Sequence, residues 1–154
     1  MSELLGRIAE LKRKGSPRGL SRLIPYLDFM GFTFDWDGER VLARMPYSDH
    51  LVGNPTLPAL HGGATGALLE STAIFELLWQ AETMVLPKTI NITVQYLRSG
   101  RPQDTLATAT VTKQGRRVVA VRAEAWQEDP DRPIATADAH FLIVPLGEQG
   151  RRPT

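Results

Sequence analysis

The chain has 154 residues and a formal net charge of +1. That length suits one domain with a core of its own, and so neutral a balance advertises neither a nucleic-acid partner nor a membrane surface. Cysteine is absent, which excludes a disulfide framework, thiolate zinc sites and a cysteine nucleophile.

The opening stretch, MSELLGRIAELKRKG, lacks the apolar centre of a signal peptide. No run approaches the roughly 18 apolar residues of a membrane span, so a cytoplasmic protein is expected. Leu4, Leu5, Ile8 and Leu11 recur at helical spacing up to Gly15, a helix that reads as an extension (residues 1–15) on the outside of the main domain (16–146). Pro25 interrupts the chain, and Gly31 closes a short helical piece from Tyr26 to Met30. Phe32, Phe34 and Trp36 alternate with polar residues up to a turn at Asp37-Gly38, and Val41 to Met45 reads as the returning strand.

The stretch from Pro46 to Leu60 holds three prolines and Gly53. It is expected to cross the surface without regular structure and to be able to line a pocket. A long helix follows from Ala64 to Gln80. Four alternating segments come next: one with Ile90, Ile92, Val94 and Tyr96 on a face, then Leu106 to Thr112, Arg117 to Trp126 and Ile134 to Val144. Their short connections predict an antiparallel sheet. The tail, 147–154, is polar and expected to fray.

The long helix is the informative element. Ala67, Leu68, Ser71, Ile74, Phe75 and Leu78 fall on one stripe, and Leu69, Ala73 and Leu77 carry apolar character to other faces, so the helix is expected to be buried on most sides. Glu70 stands in that surface with Gly66, Ala67, Ala73 and Ile74 one turn away, and no Lys or Arg occurs between Arg44 and Lys88. An unpaired carboxylate in apolar surroundings is costly, which marks it as a candidate working group; the bland alternative is a glutamate turned to solvent at a helix edge. Gly63 and Glu70 share a face but lie roughly 10 Å apart along the axis. If backbone N–H groups at the helix start and this carboxylate act on one carbon, they belong to different chains. Two such helices packed antiparallel about a twofold axis would form a homodimer with two composite sites.

A long helix among antiparallel strands defines an α+β layer in which a curved sheet wraps the helix. With Asn54, the triplet His61-Gly62-Gly63, Glu70 nine residues after the histidine, the strand end Tyr96-Leu97-Arg98 and Gly115-Arg116, the chain resembles hotdog-fold acyl-CoA thioesterases. The likeness is to the phenylacetic-acid-degradation and 4-hydroxybenzoyl-CoA types and covers residues 26–144. It implies a hotdog fold with an extra N-terminal helix, and a reaction that hydrolyses a small, aromatic or medium-chain acyl-CoA to free acid and CoA.

The resemblance also implies roles. The N–H of Gly63 would hold the oxyanion, with Gly62 allowing close approach, and Glu70 would serve as general base or as nucleophile. Asn54, seven residues before His61, would position the water or the thioester. His61 would fix the loop and the first helical turn. Phe75 and Tyr96 would wall the pocket, and Arg98, Arg116 and Arg117, with Arg101 and Lys113, would form a basic rim for the CoA phosphates. Ile74 stands where hydroxybenzoyl-type enzymes carry a hydroxyl, leaving Ser71 or Thr72 as substitutes. No cofactor beyond the substrate's own CoA is expected, and the three histidines have no metal-site spacing.

Dimers could pair further into a dimer of dimers. Two alternatives stay open: a hotdog enoyl hydratase or 3-hydroxyacyl dehydratase, suggested by the loop starting at His50 but opposed by Ala64 where its acid would stand, and a non-catalytic acyl-binding module, opposed by Glu70.

Overall fold

The inner face of the sheet is built largely of alanine, and this dictates the architecture. Ala43, Ala107, Ala109, Ala123, Ala125, Ala135, Ala137 and Ala139 are all buried. Small side chains let a helix lie close, and the bulk that fills the layer comes from the helix: Leu68, Leu69, Phe75 and Leu78. The computed structural model describes residues 2–82 and 85–145. It places α3 (Gly62–Gln80) across a six-stranded sheet of β1 (Thr33–Trp36), β2 (Val41–Met45), β5 (Val85–Tyr96), β6 (Thr105–Gln114), β7 (Val118–Trp126) and β8 (Ala135–Pro145). The strand order is β1-β2-β6-β7-β8-β5 and every pairing is antiparallel. This is the expected α+β hotdog arrangement.

The first hairpin turns at Asp37, whose Oδ1 accepts the N–H groups of Glu39 and Arg40, both at 2.8 Å, while Gly38 takes the left-handed φ of 102° that the turn demands. At the other side of the sheet β5 is an edge, twelve residues long, with Ile90 53% exposed. The N-terminal helix is α1 (Ser2–Arg13). It buries Ile8 and lays Leu4 and Leu11 against the core, and Lys12 Nζ donates to the carbonyl oxygens of Leu78 and Ala81 at the C-terminus of α3. Gly31, with φ 73°, closes the short α2 (Pro25–Met30).

Three expectations are corrected. The stretch from Pro46 to Leu60 is not irregular throughout: it holds a 3-10 turn at Asp49–Leu51 and a small hairpin of β3 (Val52–Asn54) and β4 (Ala59–Leu60). Asn54 Oδ1 makes that hairpin possible by accepting the N–H groups of Thr56 and Leu57 at 3.0 and 3.2 Å. Second, the fully buried side of α3 runs through Ala64, Thr65, Leu68, Leu69, Thr72, Ala73 and Glu76, while Ala67, Ser71 and Ile74 are half-buried. Third, β5 starts at Val85, ahead of Ile90, because it pairs with β8 along its whole length. The polar tail, 147–154, lies outside the described residues.

Candidate active site at the amino end of the central helix

α3 begins two residues before the apolar pattern does, because His61 caps it. His61 has extended backbone angles (φ −66°, ψ 129°) and its Nδ1 accepts the N–H of Gly63 at 2.9 Å. An accepting Nδ1 puts the neutral ring's proton on Nε2. The backbone of His61 is equally committed, its N–H donating to Leu51 O at 2.8 Å and its carbonyl accepting from Ala64 at 3.0 Å and Thr65 at 3.3 Å. Gly53 of β3 lies against it so closely that a Cβ there would come within 2.7 Å of His61 Cα. His61 thus ties the loop to the first helical turn through side chain and backbone together.

These bonds decide which N–H at the helix start is left over. The first four are unsatisfied by the helix itself. Gly63, the expected oxyanion donor, gives its N–H to His61, and those of Ala64 and Thr65 go to the His61 carbonyl. The N–H of Gly62 has no acceptor among the described residues. The carbonyl of Gly62 accepts the hydroxyl of Tyr96 at 2.7 Å. A Cβ at position 63 would meet the His61 ring at 2.9 Å, so that ring must shift for any side chain there, while one at position 62 would meet the Tyr96 ring at 3.1 Å, a contact the ring can relieve only by giving a few tenths of an ångström.

Gly62 opens on a groove of about 400 Å³ lined by Thr65, Tyr96, Arg98, Gly100 and Ile134 among others. Tyr96 is 57% exposed there. A smaller polar cleft of about 160 Å³ adjoins it through Arg98 and Ser99 and adds Arg101 and Arg132 beside Glu128 and Asp129. The loops are tied together: Leu60 N–H donates to Gly100 O at 2.9 Å, and Gln127 binds the Arg101 backbone in both directions, at 2.9 and 3.0 Å. Arg98 Nη1 donates to Pro133 O at 2.7 Å.

Glu70 lies eight residues beyond Gly62 on α3, about 12 Å along the axis. It is half-buried and not unpaired: the hydroxyl of Thr89 on β5 donates to its Oε1 at 2.7 Å. Thr72, one of the two expected helpers, spends its hydroxyl on Leu68 O at 2.6 Å. The costly buried carboxylate of this helix is Glu76, 1% exposed, which accepts Val41 N–H at 2.6 Å and a hydrogen bond from Gln80 Nε2. Burial pushes its pKa above the usual carboxylate range, against the pull of those two donors.

Of the remaining residues, Asn54 is exposed with its carbonyl oxygen spent on the hairpin turn. Phe75 is not a pocket wall; it is buried edge-to-face against Phe34, ring centroids 4.4 Å apart. Arg116 and Arg117 sit in the β6–β7 turn, at the opposite end of β6 from Thr105. Nine residue steps of strand, about 30 Å, separate them from Tyr96 and Arg98 in one chain. A single chain therefore brings Gly62, Tyr96 and Arg98 together and leaves Glu70 with Thr89 elsewhere.

Residues 57–134 match the family model described as the thioesterase superfamily. A crystal structure of a Chromobacterium violaceum protein is similar at 37% identity with a TM-score of 0.75, covering 92% of this chain and 98% of that one. A thioesterase from Haemophilus influenzae shares the fold at 22% identity and a TM-score of 0.72, over 82% of this chain and 87% of that one. The medium/long-chain acyl-CoA thioesterase YigI of Salmonella typhimurium is 28% identical over 120 residues, 68% of this chain and 77% of that protein. The chain belongs to the thioesterase superfamily and is a thioester hydrolase.

Proposed function

We propose that the protein hydrolyses an acyl-CoA to free acid and CoA in sites shared between two copies of the chain. The observation that carries this reading is the division of labour along α3: an amide donor at Gly62 without an acceptor among the described residues and a hydroxyl-supported carboxylate at Glu70, about 12 Å apart on one rigid element. Two α3 helices packed antiparallel would bring the Gly62 of each beside the Glu70 of the other. The half-buried face of Ala67, Glu70, Ser71 and Ile74 and the free edge of β5 are the surfaces such a dimer would cover.

The oxygen of the thioester carbonyl would rest on the Gly62 N–H, aided by the helix dipole. Gly63 would contribute only where substrate displaces His61 from its N–H. Glu70 would take a proton from water as the water oxygen bonds the carbonyl carbon, or would itself attack to form a mixed anhydride that water then opens. In either course the C–S bond breaks and the sulfur leaves as CoA thiolate. Asn54 would orient water or thioester through its amide nitrogen, Tyr96 would wall the groove, and Arg98 with its neighbours Arg101 and Arg132 would meet the phosphates. Arg116 and Arg117 would reach a groove only from the partner.

The CoA class agrees with what YigI acts on, and no cofactor is called for beyond the substrate. Dimers could associate into tetramers. No described helix is long and apolar enough to cross a membrane; a cytoplasmic location is part of the proposal. Thiol release from a panel of acyl-CoAs, with wild type and Glu70→Ala side by side, tests the proposal. Release that the variant loses supports it; water addition to an enoyl-CoA without thiol release would replace it with the hydratase, and binding without either would replace it with the module.

A further inference from the structure

We infer that Tyr96 is a positioning residue that aims the oxyanion donor, a role resting on the proposed hydrolysis. The peptide joining Gly62 and Gly63, the one that follows the Gly62 N–H, is gripped at both ends by side chains from different elements, which fixes the backbone of Gly62 and through it the direction of its N–H. Its carbonyl oxygen accepts the Tyr96 hydroxyl at 2.7 Å, and its N–H donates to His61 Nδ1 at 2.9 Å. Glycine is the residue least able to hold its own backbone angles, and two occur in succession where a donor must be preorganised to stabilise charge. The two rings supply the rigidity the glycines lack. Tyr96 also packs its ring within 3.1 Å of where a Gly62 Cβ would stand and its oxygen within 3.5 Å of one at Gly66, so it rests along the first turn of α3.

Tyr96 comes from the end of β5, 34 residues away, and so couples the sheet edge to the helix start. The groove wall and the clamp are one side chain, but only the clamp needs its hydroxyl. Tyr96→Phe separates the two. The expected result is a fall in kcat of about ten-fold, the upper range for losing one hydrogen bond, with KM and the affinity for an unreactive S-alkyl CoA thioether both unchanged. Amide hydrogen exchange at Gly63, whose N–H is bonded to His61, rises by about the same factor while the melting temperature stays put. A wild-type kcat in the variant, or a kcat loss matched by weaker thioether binding, overturns the inference. Should the wild type hydrolyse no acyl-CoA, the proposed function falls by itself. The exchange measurement still decides the clamp, and unchanged exchange at Gly63 sinks it.

Discussion

Thr89 of β5 donates its hydroxyl to Glu70 of α3 at 2.7 Å, so the carboxylate proposed to attack is held by the edge strand and not by a neighbour on its own helix. The bond restricts the carboxylate to one orientation and offers a proton to one oxygen, leaving the other for water or thioester. Thr89→Val keeps the shape and removes the donor. Its kcat is expected to fall by about ten-fold with little change in KM, and Thr89→Ser is expected to recover most of it. Steady-state thiol release measures both, and a Val variant as fast as wild type would remove Thr89 from the site.

Shared sites make a prediction that sites within one chain cannot. Gly62→Pro deletes the free N–H where proline is at home, at the first helical position. His61 before it already has the extended angles that proline imposes on its predecessor. The Tyr96 ring, 3.1 Å from the new Cβ, must give by a few tenths of an ångström, so melting curves accompany the assay. Gly62→Pro and Glu70→Gln are each expected to lose activity by about two to three orders of magnitude. Mixed and reassociated, the two inactive chains form heterodimers in which one site is intact, restoring about a quarter of wild-type activity. A mixture no better than its parents confines each site to one chain.

What was legible in the chain was what is local. Alternation and helical spacing gave α3, the four long strands and the first hairpin, and the His61-Gly62-Gly63 triplet located the helix start. The misses are contacts between elements. An apolar pattern that wraps around α3 leaves open which side meets the sheet, so the burial of Glu76 is not legible in the sequence. Phe75 looked like a pocket wall because Phe34, its partner, lies in another element. Thr89 is 19 residues from the acid it serves, beyond any helical spacing. The placement of Arg116 and Arg117 could have been deduced: consecutive antiparallel hairpins put the 115–117 turn at the end of the sheet away from Tyr96.

The N-terminal helix α1 is fastened by a charge on a helix terminus. Lys12 Nζ donates to the Leu78 and Ala81 carbonyls, where the C-terminus of α3 carries its partial negative charge. Lys12→Met keeps the aliphatic stem over the core and removes the donor. It is expected to lower stability by about 1 kcal/mol and to make α1 an earlier target for limited proteolysis, with kcat unchanged because Lys12 touches neither Gly62 nor Glu70, the residues of the proposed site. Urea unfolding and a proteolysis time course are the measurements. Equal stability and equal cleavage would show that Ile8, Leu4 and Leu11 hold α1 without it.

Glu76 makes stability depend on pH in a direction opposite to most carboxylates. Burial raises its folded-state pKa above the ordinary value of 4.5, outweighing the donors at Val41 and Gln80. The folded state therefore holds this proton more tightly than the unfolded chain does. The resulting stabilisation is fully present below the unfolded value of 4.5 and is lost as pH rises through the raised folded value. Glu76→Gln keeps an oxygen to accept the Val41 N–H and cannot ionise. Its melting temperature is expected to match wild type in acid and to rise above it progressively toward neutral pH, while Glu76→Leu, which strands the Val41 N–H in the core, falls below wild type throughout. Melting temperatures of the three proteins from pH 4 to 8 decide it. A Gln variant that tracks wild type across the range would mean that Glu76 ionises without penalty, and its burial would then need another explanation.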